Sequence, residues 1–255
     1  MRFPAGLAAT SVAALLLFSA AAHAHFQELL PSADIVPDEG DRKVKLQAVF
    51  THPMEGGPNM DMGQPQQFGV LADGEKVDLK SSLKPVEVSG KKAFEATYQI
   101  KKPGDYVFFL EPAPYWDEGE KHFLIHYTKV VVDFGSGEGW DKLVGFPVEI
   151  EPLSRPYGVW TGNLFRGVVR KDGKPVPGAV VEIEWANDGS VKAPSDPFVT
   201  QVVKADDNGV FAYAIPKAGW WGFNALIDGE TKGPDGKPAE AELGGTIWVK
   251  AVDMK

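Results

Sequence analysis

Two histidines fall within "AHAHF", residues 22–26, and three more follow as His52, His122 and His126. A neutral imidazole is a good ligand for nickel, copper and zinc. The chain has no cysteine, which excludes thiolate ligands and thiol nucleophiles. The position of the first pair matters most. The start, "MRFPAGLAATSVAALLLFSAAAHA", has Arg2, an apolar Ala/Leu-rich run and an A-x-A site. That is the pattern of a secretory signal peptide. Cleavage after Ala24 makes His25 the first residue, whose free amine and ring could close a chelate on one ion. Cleavage after Ala22 leaves "HAHF", with His25 third, an arrangement that can wrap nickel(II) or copper(II) in a square plane. Alternatively, "AHAH" is only a variant of an alanine-rich cleavage region.

His122 and His126, in "KHFLIHYTK", are four residues apart and share a face of a strand. On a straight strand they stand roughly 13 Å apart, too far to grip one ion without a bulge. His52 lies in "VFTHPMEGGPNMDMG", where Pro53 ends a strand-like run and a Gly/Pro-rich loop begins. Met54, Met60 and Met62 in that loop are soft donors or, more simply, padding against the core. Glu28 follows His25 by three and, on an extended segment, faces the other side; it is a modest candidate as an added carboxylate. Asp117, Glu118 and Glu120 in "PYWDEGEKHF" read best as a solvated acidic turn. The candidate metal set is therefore His25, His52, His122, His126 and Glu28, holding nickel or cobalt, with copper or zinc as alternatives.

Short β-rich runs separated by turn signals must position these residues. In the first half they are 43–50, 66–72, 92–100, 104–112 and 121–134, with "ADGEK" and "KKPGD" as tight turns. The second half reads as strands within 162–185, 198–227 and 244–254, with "RKDGKP" and "ADDNG" as hairpin signals. The expected architecture is all-β: two small β-sandwich domains, immunoglobulin-like or prealbumin-like, in tandem. The expected divisions are a signal peptide over 1–24, an N-terminal β domain with the metal site over 25–150, a proline-rich linker over 151–160 and a C-terminal β-sandwich over 161–255. The formal net charge of −9 argues against nucleic acid as a partner. Beyond the leader no run is long and apolar enough to span a bilayer, so a soluble, periplasmic product is expected.

"GVVRKDGKPVPGAVVEIE" and "KADDNGVFAYAIPKAGWWGFNA" resemble carboxypeptidase-regulatory and collagen-adhesin B-type modules over residues 162–254. That resemblance implies a prealbumin-like sandwich, usually without catalysis. Through "AHAHFQELLPSADI", "AVFTHPME" and "GKPVPGAVVEI" the mature chain as a whole resembles a DUF4198-like family of periplasmic proteins of unassigned function. Several members accompany energy-coupling-factor importers for nickel or cobalt. The resemblance implies a periplasmic component that binds or delivers nickel or cobalt, with a membrane importer subunit as partner.

The leading expectation is thus a metal-binding or metal-delivery protein, not an enzyme. The alternatives are a structural or adhesive cell-surface β protein without metal function, and a copper enzyme built on a terminal-histidine brace. No "GxSxG", "HExxH" or phosphate-cradling glycine loop occurs. Trp220 and Trp221 in "KAGWWGFNA" read as core and rim rather than as a docking surface.

Overall fold

A computed structural model describes residues 24–135 and 137–254; residues 1–23, which hold almost all of the expected leader, lie outside them. The strands of the first half are β1 (Phe26–Pro31), β2 (Lys43–Thr51), β3 (Gln67–Ala72), β4 (Glu75–Asp78), β5 (Lys84–Val88), β6 (Lys91–Gln99), β7 (Gly104–Glu111), β8 (Tyr115–Asp117) and β9 (His122–Phe134). Those of the second half are β10 (Val148–Pro152), β11 (Val159–Trp160), β12 (Leu164–Lys171), β13 (Lys174–Pro175), β14 (Val180–Trp185), β15 (Gln201–Lys204), β16 (Val210–Ala214), β17 (Gly219–Lys232) and β18 (Pro238–Val252). Two short 3-10 turns, Lys80–Ser82 and Asp196–Phe198, interrupt them. The all-β expectation holds.

Alternation sets which face each strand buries. In β2, Val44, Leu46 and Ala48 are buried while Lys43 and Lys45 face solvent. β9 is different: residues 123 to 132 are all buried, as expected of a strand covered on both faces. "ADGEK" and "RKDGKP" form the expected tight hairpins. Each uses an Asp-Gly pair with both φ angles positive, 52° and 75° at Asp73 and Gly74, 49° and 75° at Asp172 and Gly173.

The sheets are not divided as the sequence suggests. One four-stranded sheet runs β1-β2-β6-β5, and a second joins β12 to β10, β13 and β16. A ten-stranded sheet has the order β15-β14-β17-β18-β9-β7-β3-β4, with β11 on β18 and β8 on β9. Four of its ordered strands come from each half. The junction is a parallel pairing of β18 with β9, from Ala241 opposite Phe123 to Trp248 opposite Val130. "KKPGD" and "ADDNG" do reverse the chain, but β6 and β7, like β15 and β16, belong to different sheets. A turn motif dictates reversal and not which sheet receives the next strand.

The cores follow the sheets. Trp248, from the second half, is fully buried within a cluster otherwise drawn from the first, with Phe26, Phe68, Phe94 and Phe108. A further cluster mixes Leu71, Phe109 and Val131 with Val148, Tyr157, Ala241 and Leu243. A fully buried ion pair lies at the same junction: Lys129 Nζ of β9 is 2.6 Å from Glu149 Oε1 of β10. Glu149 also accepts from the backbone N–H groups of Val144 at 2.7 Å, Gly145 at 2.9 Å and Phe146 at 3.3 Å. All acceptor capacity of a buried carboxylate is thereby used, which is the condition for burying it at tolerable cost.

Candidate functional site

β1 and β2 pair antiparallel with Phe26 opposite Thr51. Continuing that register by one residue sets His25 opposite His52, and the two ring centroids are 4.5 Å apart, tilted by 52°. β9 passes beneath β1, where Thr128 Oγ1 donates to the Gln27 carbonyl at 3.1 Å. His126, two residues earlier on β9, thus arrives from below. Phe50 mediates: its centroid is 5.7 Å from that of His25 and 5.9 Å from that of His126. Three of the four histidines among the described residues converge, although residues 25, 52 and 126 lie far apart in sequence.

His25, His122 and His126 each stand beside an acid. His126, 1% exposed, has Nε2 at 3.0 Å from Glu242 Oε1 on β18 and Nδ1 at 3.3 Å from Asn224 Nδ2 on β17. Thr246 Oγ1 donates to Asn224 Oδ1 at 2.9 Å, turning the amide so that Nδ2 donates to His126 Nδ1. Nε2–H of His126 is then the donor to Glu242. Gly244 makes the arrangement fit: a Cβ there would lie 2.5 Å from both Asn224 Oδ1 and His126 Cδ2. His25 Nε2 is 3.2 Å from Asp117 Oδ2, and His122 Nε2 is 3.1 Å from Glu120 Oε2. Asp117 and Glu120, expected to be only a solvated turn, are thus histidine partners.

Electrostatics keep the cluster at low charge. Burial, then the nearness of His52 and His126, push the His25 ring down to about 4, against the pull of Asp117 and Glu242. Burial raises the Glu242 carboxyl, but the hydrogen bond and charge of His126, then His122 and His25, outweigh it and hold the group below its usual range. Glu182 on β14 is lifted to about 7 by burial first and by Glu242 and Glu184 next.

The donors do not suit the expected ion. Among the described residues no group of three or more His, Cys, Asp or Glu side chains is disposed to hold a metal ion. The physical reason is visible in the pairing. Both ring nitrogens of His126 are engaged by Asn224 and Glu242, and His25 Nε2 is turned to Asp117. The expected nickel or cobalt, and the alternatives copper and zinc, are corrected accordingly.

The other candidates separate. His122 lies at the start of β9, four residues from His126 on the same strand, with Glu120 as its own partner. Glu28 faces away from His25, as extended geometry requires. It borders a cavity with Thr51, Pro53 and Asn187, and burial, then Glu184, raise it to about 7. Met60 and Met62 are buried in the first core, and the backbone N–H of Met54 donates to Glu184 Oε2 at 3.0 Å. These methionines pad the core. A cavity of about 120 Å³ opens beside His126, bordered by Phe50, Met62, Tyr115 and Trp116. Asn224, Glu242 and Thr246 escape sequence reasoning. The available signal was a lone polar residue inside an apolar run, "WWGFNALI" or "ELGGTIWV".

The family model described as "Domain of unknown function (DUF4198)" matches residues 22–229. A search of curated proteins finds no match to the sequence. Among solved structures, an I9–I11 tandem from titin is 11% identical, with 90% of this chain and 66% of that one covered at a TM-score of 0.23. A structure titled for host cell surface retention of a 1.5-MDa bacterial ice-binding adhesin is 9% identical, covering 90% and 65% at 0.25. BcpA, the major pilin subunit of Bacillus cereus, is 12% identical, covering 91% and 69% at 0.21. The chain spans just under two thirds of the length of the titin and adhesin structures.

Proposed function

The chain belongs to the DUF4198 family, and we propose that it is a non-catalytic structural or adhesive β protein, exported to the periplasm or cell surface. The observation that carries this reading is the continuous ten-stranded sheet. Its parallel β9–β18 seam and the buried Lys129–Glu149 pair bind both halves into one body. A ladder of backbone hydrogen bonds with a buried core on its faces suits a part that transmits or resists load. The histidines support the same reading, because both ring nitrogens of His126 are engaged by Glu242 and Asn224, and Nε2 of His25 and of His122 stand 3.2 and 3.1 Å from Asp117 and Glu120.

Two measurements test it together. Native mass spectrometry of the exported protein with nickel ions is expected to give no stoichiometric adduct. Cells lacking the chain are expected to lose surface attachment or envelope integrity, with nickel content unchanged. A one-to-one nickel adduct removed by His25→Ala, with reduced nickel uptake in the deletion strain, overturns the proposal.

A further inference from the structure

The two edges of the ten-stranded sheet are unlike. β4 ends one side with the sequence Glu-Lys-Val-Asp, three charges in four residues, all exposed. Charge of that density is the usual means of preventing edge-to-edge association. β15 ends the other side with Gln-Val-Val-Lys. It pairs only with β14 among the described residues, Gln201 opposite Ile183 through Lys204 opposite Val180. Its outward-facing Val202 is 55% exposed, and Phe198, just before it, is also 55% exposed. An apolar edge strand with a single charge is a template for another strand.

We propose that β15 is a self-association edge: two copies pair antiparallel through residues 200–204 about a two-fold axis at Val202, fusing their ten-stranded sheets. Three constraints select this occupant and this register. The first is parity: side chains alternate, so only registers pairing residues of the same parity keep the two sheets on common faces. The second is apolar matching. Centring on Val202 sets Val202 opposite its own copy, and Gln201 opposite Val203. Shifting by one permitted step would set Val202 opposite Thr200 or Lys204. The third is charge: Lys204 then faces Thr200, not a second lysine, and no like charges meet within the ladder. Whichever residues of β15 direct their N–H and C=O groups outward, the two-fold supplies matching groups from the other copy. At β4 the same-parity registers, centred on Lys76 or on Val77, set Lys76 opposite its own copy or opposite Asp78, so charged side chains meet across that edge in either register. The two edges thus differ in character: β15 presents an apolar strand with one charge, and β4 a strand on which three of four residues are charged.

The chain has no cysteine, so single introduced cysteines report the contact directly. Sedimentation velocity of the full mature chain is expected to show a concentration-dependent monomer–dimer equilibrium. Val202→Cys under mild oxidation is expected to give a disulfide-linked dimer, while Val77→Cys on the β4 edge remains monomeric. Val202→Lys, on an exposed site that leaves the fold intact by circular dichroism, is expected to weaken dimerisation about tenfold or more through like-charge opposition. A protein monomeric at all concentrations, equal cross-linking from Val77→Cys and Val202→Cys, or an unweakened Val202→Lys dimer each overturns the proposal.

Discussion

Replacing Glu149 by alanine tests the idea that one buried ion pair fastens the two halves. Lys129 is 1% exposed and its ammonium is 2.6 Å from Glu149. The substitution strands that cation without a counter-charge. Breaking a buried pair by removing one partner costs about 3–5 kcal/mol. It also takes the acceptor from the N–H groups of Val144, Gly145 and Phe146. A buried orphaned donor costs about 1–3 kcal/mol, less wherever water enters the vacated space. A loss of roughly 4–6 kcal/mol is expected, a large share of the 5–15 kcal/mol typical of a folded domain. At about 2–4 °C per kcal/mol for a chain of this size, Tm falls by roughly 10–20 °C. Lys129→Met should cost less, because Glu149 keeps its three backbone donors. The double variant Lys129→Met with Glu149→Leu should recover part of the loss, since no charge remains buried. Urea titration of the four proteins, followed by tryptophan fluorescence, measures these differences. A loss below about 1 kcal/mol for Glu149→Ala, or a larger one for Lys129→Met, refutes the reasoning.

Two further outcomes follow from the buried polar groups. Glu28, Glu182 and Glu184 are each raised to about 7, chiefly by burial, so the folded state keeps protons there that the unfolded chain has already released above 4.5. Their stabilisation is present below 4.5 and lost as pH rises through 7. His25, lowered to about 4, acts oppositely, removing stability as pH falls from 6.5 toward 4. With Asp105 also raised to about 6, chiefly by burial, the carboxyls outweigh the one imidazole, and stability is expected to fall as pH rises from 5 to 6.5. Urea midpoints across that range check it, and a rising or flat profile refutes it. Gly244→Ala places a methyl 2.5 Å from His126 Cδ2 and Asn224 Oδ1, so a loss of about 1–3 kcal/mol is expected. The His126 ring resonances should move with it in an NMR spectrum, whereas a silent substitution would show that β18 shifts freely there.

Local chemistry made much of the secondary structure legible. Alternation located β2 and β6, and apolar runs located β7 and β9, within a residue or two, while the Asp-Gly pairs marked the β3–β4 and β12–β13 hairpins. The exceptions are instructive. β1 does not stand out as a strand because its six residues carry Gln27, Glu28 and Pro31; it is one because β2 supplies a partner. The stretch "DGETKGPDGKPAEAE" reads as a loop, being charged on both faces. It nevertheless extends β17 and β18, since five residue pairs, from Asp228 opposite Glu242 to Lys232 opposite Pro238, continue their ladder through it.

The sequence by itself determined that the chain is all-β, that it lacks cysteine chemistry, and that its histidines are the residues to follow. Composition, period-two alternation and turn residues act within a few positions and can be read there. Only the tertiary structure decided that the two halves share one sheet, because a parallel pairing such as β9 with β18 joins residues more than a hundred positions apart and leaves no periodic trace. The same holds at the cluster. His25 meets His52 through strand register, and His126 arrives from a different sheet. Their partners Asp117, Glu242 and Asn224 come from three further strands. Whether an imidazole nitrogen is free for an ion or spent on a neighbour depends on distances of about 3 Å, which only the folded arrangement sets.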